Sequence, residues 1–494
     1  MTLTKILIYV AIAAAILTLI VGFGFKKHKN WFMTYVQNYC GAFFIFSGWI
    51  KAVDPMGLGF KMADYFTAFD TTFSETWFSF ITPLFSMLSS IKFEFSTAMI
   101  VFELILGVML ILGSRSKFTV WAFWIMVAFF TVLTGYTYLT GYVPSGTNFF
   151  KFAEWGVFKD SNMQVTDCGC FGDFLKLKPF TSFLKDVGLM FPAFYFLFRH
   201  KDMHQLFTTN IRFGLGAATL VVGLLLCLSN SVWDIPNRDF RPFKKGVNVA
   251  ETKTAQLDAL AAVPIIAYEL KNKESGEVTT VPFDQYIKEF KKYPKEEFEF
   301  EQILGESTLE LDKIGEYSVT DLDGMDITDE LLHDEKPSIM FVSYIVKGKG
   351  QKATRMVKDT IISLDTMQTS LGLDSIVQKI DNIVSREEEY TKYEWDPDFF
   401  SDYADVIRPF ADAAMADGFQ VYSVAGGADK NMLDQLKSDA GLNFNFYTAD
   451  DILLKTIVRS NPGTVLWKNG VILDKWHVDK LPDYESVKSL HNLK

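Results

Sequence analysis

The chain has 494 residues, 49% of them hydrophobic, and a formal net charge of −11 at neutral pH. This acidic balance disfavours nucleic acid as a partner, and the sequence contains no Walker, dinucleotide-binding or zinc-protease pattern. Apolar runs dominate the residues before about 232, whereas the remainder is charged. The sequence therefore predicts a membrane domain (1–231), a linker and hairpin region (232–314) and an α/β domain (315–494).

Six apolar segments are long enough to cross a bilayer, which requires about 20 residues. They are 3–24, 33–53, 95–113, 118–141, 181–199 and 211–231. The first segment is followed by lysines and has no small-residue cleavage site, which is typical of an uncleaved anchor with its N-terminus outside. We therefore predict an α-helical polytopic membrane domain embedded in the lipid bilayer.

Positive charge indicates the orientation of this domain, because cytoplasmic loops are enriched in Lys and Arg. The short loops after the first, third and fifth segments carry Lys26, Lys27, Lys29, Arg115, Lys117, Arg199, Lys201 and Arg212. The sequence therefore predicts a multi-pass protein of the cytoplasmic (inner) membrane whose C-terminal domain is extracytoplasmic, on the periplasmic side.

Several ionisable residues lie within or at the ends of these segments, on the predicted outer side. Glu103 is about eight residues into the third segment, Lys51 and Asp54 close the second, and Lys185 and Asp186 open the fifth. A charge facing lipid costs about 3 kcal/mol, so such residues need a partner or an interface. Lys51, Asp54, Lys185 and Asp186 either reach the membrane surface or form a polar relay; Glu103 either pairs with Lys51 structurally or belongs to that relay.

The polar stretch 167–173 contains two of the four cysteines, Cys168 and Cys170, separated by one glycine. A disulfide between them would close a small, strained and labile ring, so a redox-active dithiol is one interpretation and a structural loop disulfide is another. Two ligands are too few for a zinc site, and we predict no metal. Cys40 and Cys227 are interpreted as small apolar fillers, although Cys227 is close enough to the outer side to exchange electrons with the loop.

The C-terminal third shows strand and turn patterns. A hairpin is predicted at 263–283, buried strands at 337–346 and 419–424, a short helix at 326–332, and a second hairpin around Asn469–Gly470. The charged sequence between the two buried strands, up to about 417, is predicted to be helical.

Residues 46–57 (FSGWIKAVDPMG) resemble the second-helix signature of DoxX-type membrane proteins, and Glu103 within FELILG matches the acidic third helix of that family. The CGCFG stretch is similar to the corresponding loop of the MauE branch. The resemblance covers roughly 33–200. It implies a four-helix core associated with thiol or sulfur redox chemistry, including disulfide formation in exported proteins.

Residues 315–490 resemble a thioredoxin-like domain of the TlpA type, with Pro462 where that family has its cis-proline lining the binding groove. The family's Cys-x-x-Cys is replaced by 347–351 (KGKGQ), and no cysteine follows Cys227. This domain therefore cannot exchange disulfides and is expected to bind a partner. Residues 352–405 are an insertion relative to the family.

Two functions follow as hypotheses. In the first, the protein is a membrane thiol–disulfide oxidoreductase: Cys168 and Cys170 cycle, exported client proteins are the partners, and a quinone near Glu103 is a candidate electron acceptor. In the second, the protein is a non-enzymatic scaffold that binds other subunits of a cell-envelope complex.

Overall fold

The structure is a computed structural model that describes residues 2–165, 169, 171–305, 309, 311–368 and 374–492, with backbone only for 360–368 and 374–383. The chain divides into two compact units, Met1–Arg241 and Pro242–Lys494, here called the N-terminal and C-terminal units. Cys168 and Cys170 lie outside the described residues.

The N-terminal unit is helical. Its helices are α1 (Leu3–Leu19, continued by a π-helical turn Ile20–Gly24), α2 (Trp31–Val53), α3 (Pro55–Ser74), α4 (Thr82–Ser90), α5 (Lys92–Leu112), α6 (Ser116–Thr140), α7 (Pro179–Arg199) and α8 (Thr209–Ser229). Short 3₁₀ turns lie at Ser79–Ile81, Phe152–Glu154, Asp160–Asn162, Gly172–Phe174 and His200–Asp202.

Four of these helical segments are long and apolar enough to cross a membrane: Leu3–Gly24, Lys92–Leu112, Ser116–Thr140 and Thr209–Ser229. The other two predicted spans also form long helices, α2 and α7, but their sequences are more polar. Much of that polarity faces the interior, since Gln37, Asn38 and Lys51 of α2 and Asp186 of α7 are buried. Composition alone therefore supports four membrane-spanning helices.

The residues between the second and third predicted segments, for which no helix was predicted, form α3 and α4. Asp54 begins α3 as its N-cap, because its carboxylate accepts a hydrogen bond from the Gly57 N–H at 3.0 Å. Pro55 occupies the first turn, where its missing N–H is harmless. The Asp54–Pro55 dipeptide is therefore a helix-start signal that the prediction did not include.

Glycines bring α2 and α5 into backbone contact. A Cβ atom added at Gly107 would lie 2.9 Å from the Gly41 carbonyl oxygen, and one added at Gly41 would lie 2.8 Å from the Gly107 carbonyl oxygen. Only glycine permits this approach, and small residues serve the same purpose in other membrane helix pairs. Gly48 similarly accommodates Leu104, at 2.9 Å from the added Cβ.

The C-terminal unit is built on sheets. Its strands are β1 (Ile265–Asn272), β2 (Val278–Pro282), β3 (Phe298–Leu304), β4 (Pro337–Ser343), β5 (Gly348–Gln368), β6 (Asp374–Trp395), β7 (Gln420–Ala425), β8 (Asn445–Thr448), β9 (Gly463–Lys468) and β10 (Val471–His477). Its helices are α9 (Val249–Ala261), α10 (Phe283–Glu289), α11 (Thr328–Leu332), α12 (Pro397–Ser401), a π-helical turn Asp402–Ile407, α13 (Arg408–Ala416), α14 (Lys430–Asp439), α15 (Asp451–Ile457) and α16 (Tyr484–Leu490), with 3₁₀ turns at Phe290–Lys292 and Val478–Lys480.

The main sheet has the strand order β10-β9-β4-β7-β8. β4 pairs in parallel with β7, and β7 with β8, whereas β9 runs antiparallel to both β4 and β10. The central strand β4 is buried from Ser338 to Ser343, as its apolar sequence predicted. The Asn461–Pro462 peptide bond that precedes β9 is cis.

The predicted hairpins are confirmed. β1 and β2 pair antiparallel, and β3 adds a third, unpredicted strand on the other side of β1. Asn469 and Gly470 form the β9–β10 turn with positive φ angles of 49° and 73°. The predicted strand at 419–424 and helix at 326–332 correspond to β7 and α11.

The helical prediction is wrong for 348–368 and 374–395. β5 and β6 form an antiparallel ribbon of 21 and 22 residues, about 70 Å long at the usual rise per residue. Two of its directly opposed pairs carry opposite charges: Lys349 faces Glu394, and the Arg355 guanidinium lies 2.7 Å from a Glu388 carboxylate oxygen. These partners are far apart in sequence, so no local periodicity indicated the pairing. Helix resumes only at Pro397.

Candidate functional site

The first element of the candidate site is a buried ion pair between α2 and α5. The Lys51 ammonium lies 2.7 Å from a Glu103 carboxylate oxygen, and the two side chains are 4% and 3% exposed. The same ammonium lies 4.4 Å from the ring centroid of Phe130 on α6. Lys51 therefore does not extend to the surface of the bundle, and the predicted pairing of Glu103 with Lys51 is present.

The second element is a pair at the start of α7. The Lys185 ammonium contacts the carboxylate of its neighbour Asp186, whose other oxygen accepts a hydrogen bond from the Thr134 hydroxyl of α6 at 3.1 Å. The two charged side chains are 9% and 3% exposed. The interpretation that they reach the interface does not fit this burial. Thr134 was not predicted, because a threonine within an apolar helix carries no sequence signal of its own.

The two ion pairs meet around one small cavity. Its volume is about 20 Å³, and its lining includes Lys51, Glu103, Lys185 and Asp186 together with apolar side chains such as Phe44. About 10–15 Å³ suffices for one water molecule with polar partners. We call these four residues the ionic quartet. It contains two ammonium and two carboxylate groups, which a water in the cavity could bridge for proton transfer.

A second, smaller pocket shares Lys51 with the cavity of the quartet. Lys51 also lines this pocket, together with Asp54, Gly169 and Asp173, and its volume is about 10 Å³. Gly169, which stands between Cys168 and Cys170 in sequence, therefore borders the same pocket as Lys51. The next described residue, Phe171, is buried, and its ring centroid lies 6.1 Å from that of Phe43.

Of the predicted relay residues, Lys51, Glu103 and Asp186 come together and Asp54 does not. Asp54 caps α3 and, of these two pockets, lines only the second. Sequence reasoning missed the polar residues after α8 that complete this pocket, Arg238, Asp239 and Arg241. Arg241 is buried and binds Asp239 through two hydrogen bonds of 2.7 and 2.9 Å. Their signal was a dense cluster of charges directly after an apolar helix.

The two other thiols are enclosed. Cys40 of α2 and Cys227 of α8 are both fully buried within the apolar core of the N-terminal unit. Burial of this kind fits their interpretation as apolar fillers. Among the residues the structure describes, no three His, Cys, Asp or Glu side chains are grouped as metal ligands.

The cavity of the quartet is too small for a quinone ring, so the predicted location near Glu103 does not fit that cofactor. A larger groove of about 700 Å³ lies between α1, α2 and α7. This volume is within the usual range of small-molecule sites, about 300–1,000 Å³. Phe43, Lys185 and Leu189 line both the groove and the quartet's cavity, so a bound ring would lie against the same wall as the ion pairs.

In the C-terminal unit, Pro462 follows a residue that is fixed to the end of β4. The Asn461 side-chain amide accepts a hydrogen bond from the Ile345 N–H at 3.2 Å and donates one to the Ile345 carbonyl at 2.9 Å.

Asp402 follows the ribbon in sequence. Its burial and the Asp479 carboxylate raise the pKa of Asp402 to about 6. Such a group favours its protonated form.

Comparisons with protein-family models, curated proteins and solved structures gave no match.

Proposed function

We propose that the protein is a DoxX/MauE-like thiol–disulfide redox protein of the cytoplasmic membrane. Cys168 and Cys170 would form the redox pair, and the ionic quartet would carry the protons of the reaction. The observation that carries this proposal is the meeting of two buried ion pairs around a water-sized cavity, with Lys51 shared by the pocket that Gly169 lines.

The chemistry requires such a proton path. Oxidation of two thiols to a disulfide releases two protons and two electrons. A carboxylate in the quartet can take up a proton while the neighbouring ammonium groups and a water hold the charge balance. A quinone, which takes up two electrons and two protons, is a suitable acceptor class, and the groove beside Lys185 has the volume for one.

The proposed topology has six spans and an extracytoplasmic C-terminal unit. It rests on the four apolar helices, on the length of α2 and α7, and on the basic loops predicted to be cytoplasmic. An extracytoplasmic cysteine loop would be in an oxidising compartment, where disulfide exchange is expected.

For the C-terminal unit we propose a thioredoxin-like fold used for binding. The strand order β10-β9-β4-β7, with only β4 and β7 parallel within it, supports this fold. The unit contains no cysteine, so its contribution would be to hold an exported client or a partner subunit in the groove beside Pro462.

The test is thiol trapping in intact cells with a membrane-impermeant maleimide, before and after a pulse of reductant. We expect Cys168 and Cys170 to be reduced by the pulse and to reoxidise after its removal. The Cys170→Ser variant should lose client oxidation, whereas Cys227→Ala, which alters only a buried thiol, should behave as wild type. A pair that remains disulfide-bonded during the pulse, or that remains reduced after the reductant is removed, contradicts the redox role.

A second candidate is a scaffold of a cell-envelope complex, favoured by the absence of cysteine from the C-terminal unit and by its long ribbon. Under this alternative, a stable complex with other envelope proteins would purify unchanged from cells that express the Cys168→Ser/Cys170→Ser variant. Loss of that complex in the double variant would exclude it.

A further inference from the structure

A rim of exposed aromatic side chains surrounds one end of the helical unit. It consists of Trp77 and Phe80, in the turn after α3, and Phe150 and Phe152, in the loop after α6, and we call it the aromatic rim. Trp77 is 78% exposed, Phe80 71% and Phe152 62%. Phe150 and Phe152 contact each other, with ring centroids 6.4 Å apart, and Phe73 of α3 lies 5.4 Å from Phe150.

The apolar surface of the short helix α4 is wider than the part of it that packs against the protein. Phe85 packs against the core of the unit, whereas Leu84, Met87 and Ile91 are exposed and recur at helical spacing along one stripe. The opposite side carries Thr82, Ser86, Ser89 and Ser90. α4 therefore has one polar face and a wide apolar face that the protein covers only in part.

Connectivity fixes the position of these elements at a membrane surface. α4 ends at Ser90, and the candidate membrane span α5 begins at Lys92. The next candidate span, α6, returns to the same side and ends at Thr140, ten residues before Phe150. Because α5 and α6 are joined by a short turn, the aromatic rim and α4 share the side from which the cysteine stretch departs.

The composition of the segment identifies the partner. Residues 76–91 contain no Asp, Glu, Lys or Arg. An amphipathic helix with an apolar stripe inserts several ångströms into the boundary between lipid headgroups and acyl chains, and Trp is enriched at that depth. A protein interface of this size would normally add charged groups at its edge, and residues 76–91 have none.

We propose that α4 and the aromatic rim lie in the interface of the leaflet on the cysteine side, with Leu84, Met87, Trp77 and Phe80 directed to the acyl chains. Since the segment is uncharged, it inserts into zwitterionic lipid and needs no anionic headgroup. The chain after α2 is thereby held against the bilayer instead of extending into water as a loop.

The test uses the full chain in phosphatidylcholine nanodiscs, with and without bromine on the acyl chains near the headgroup. The emission of Trp77 is obtained as the difference between wild type and Trp77→Phe. We expect bromolipid to remove most of this difference emission and aqueous iodide to leave it unchanged. The buried Trp467, measured in the same way through Trp467→Phe, is the matched control and should respond to neither quencher.

A second reporter protects the test against a local effect of one substitution. In Trp77→Phe/Phe80→Trp the single reporter moves by three residues and should keep the response to bromolipid. Quenching of both reporters by iodide would show that the rim faces water, where it would await a protein partner, and would overturn the proposal. Protection from both quenchers would show that protein covers the rim, and would overturn it equally.

Discussion

The Lys51–Glu103 pair allows a test that separates structural stabilisation from proton transfer. The perturbations are Lys51→Met, Glu103→Met and the double variant, since methionine approximates the length of both side chains. Each single change leaves one charge buried without its partner in a site only 3–4% exposed. Removal of one partner of a buried pair destabilises a protein by about 3–5 kcal/mol.

The double variant has a different expected outcome. Replacing both charges by apolar groups of similar volume is commonly neutral or stabilising, so its unfolding free energy should return to within about 1 kcal/mol of wild type. The coupling energy of the cycle would then be several kcal/mol, as for other residues in direct contact. Thermal unfolding in detergent measures the unfolding free energy of all four proteins, from which the coupling energy is calculated.

Reoxidation of Cys168 and Cys170 after a reductant pulse provides the second readout. If the pair carries protons, the double variant recovers stability but not the rate of reoxidation. Recovery of both would show that the pair is structural and would refute the relay. A loss of less than about 1 kcal/mol in both single variants would refute the energetic reasoning itself.

Three further predictions concern stability. Gly107→Val should destabilise the helical unit by a few kcal/mol in thermal unfolding, because its Cβ would lie 2.9 Å from the Gly41 carbonyl; Gly214→Ala, where no atom lies within 4 Å, is the control. Asp402→Asn should stabilise the C-terminal unit above pH 6 by at most about 1 kcal/mol in denaturant titrations. The reason is that the raised pKa of Asp402 makes the wild type lose stability as the pH rises from about 4 through 6, so the difference between the two proteins should vanish below pH 4. Arg355→Ala should change stability by less than about 1 kcal/mol, because its ion pair is exposed, and a larger loss would mean that the ribbon depends on that pair.

The sequence predicted those elements whose signal is local. Apolar runs gave the long helices, and the Asn469–Gly470 dipeptide gave the β9–β10 turn, since that turn requires positive φ at both positions. The prediction failed for the ribbon because its signal is not local: Arg355 and Glu388 become neighbours only through the register of β5 and β6. Helix propensity of a charged stretch is a weak signal, and strand pairing overrides it.

The candidate site was predictable to the same extent. A carboxylate in an apolar helix requires a partner, and Lys51 was the nearest candidate at the correct depth. That Asp186 belongs to the same cavity could not be inferred, because it depends on how α6 and α7 pack beside α2 and α5. The cysteine prediction concerns residues outside the part of the chain that the structure describes, and it stays a prediction.

The arrangement of the ionic quartet bears on its purpose. The cavity lies between two halves, α2 with α5 and α6 with α7. The Lys51–Glu103 contact joins α2 to α5, and Lys185 pairs with its own neighbour on α7, so neither of these two ion pairs connects one half to the other. Both ammonium groups also contact aromatic rings of neighbouring helices: Lys51 lies 4.4 Å from the ring centroid of Phe130 of α6, and Lys185 lies 5.9 Å from that of Phe43 of α2.

Packing of the two halves therefore does not require four charges at this position. Apolar residues of similar volume would stabilise the bundle as well, and often better, because burying an ion pair carries a large desolvation penalty. Two carboxylates that line one water-sized cavity are compatible with the proton transfer proposed above, since a proton accepted by one could pass to the other through a bridging water. The comparison of stability with reoxidation rate in the double variant decides between a chemical and a structural role for the quartet.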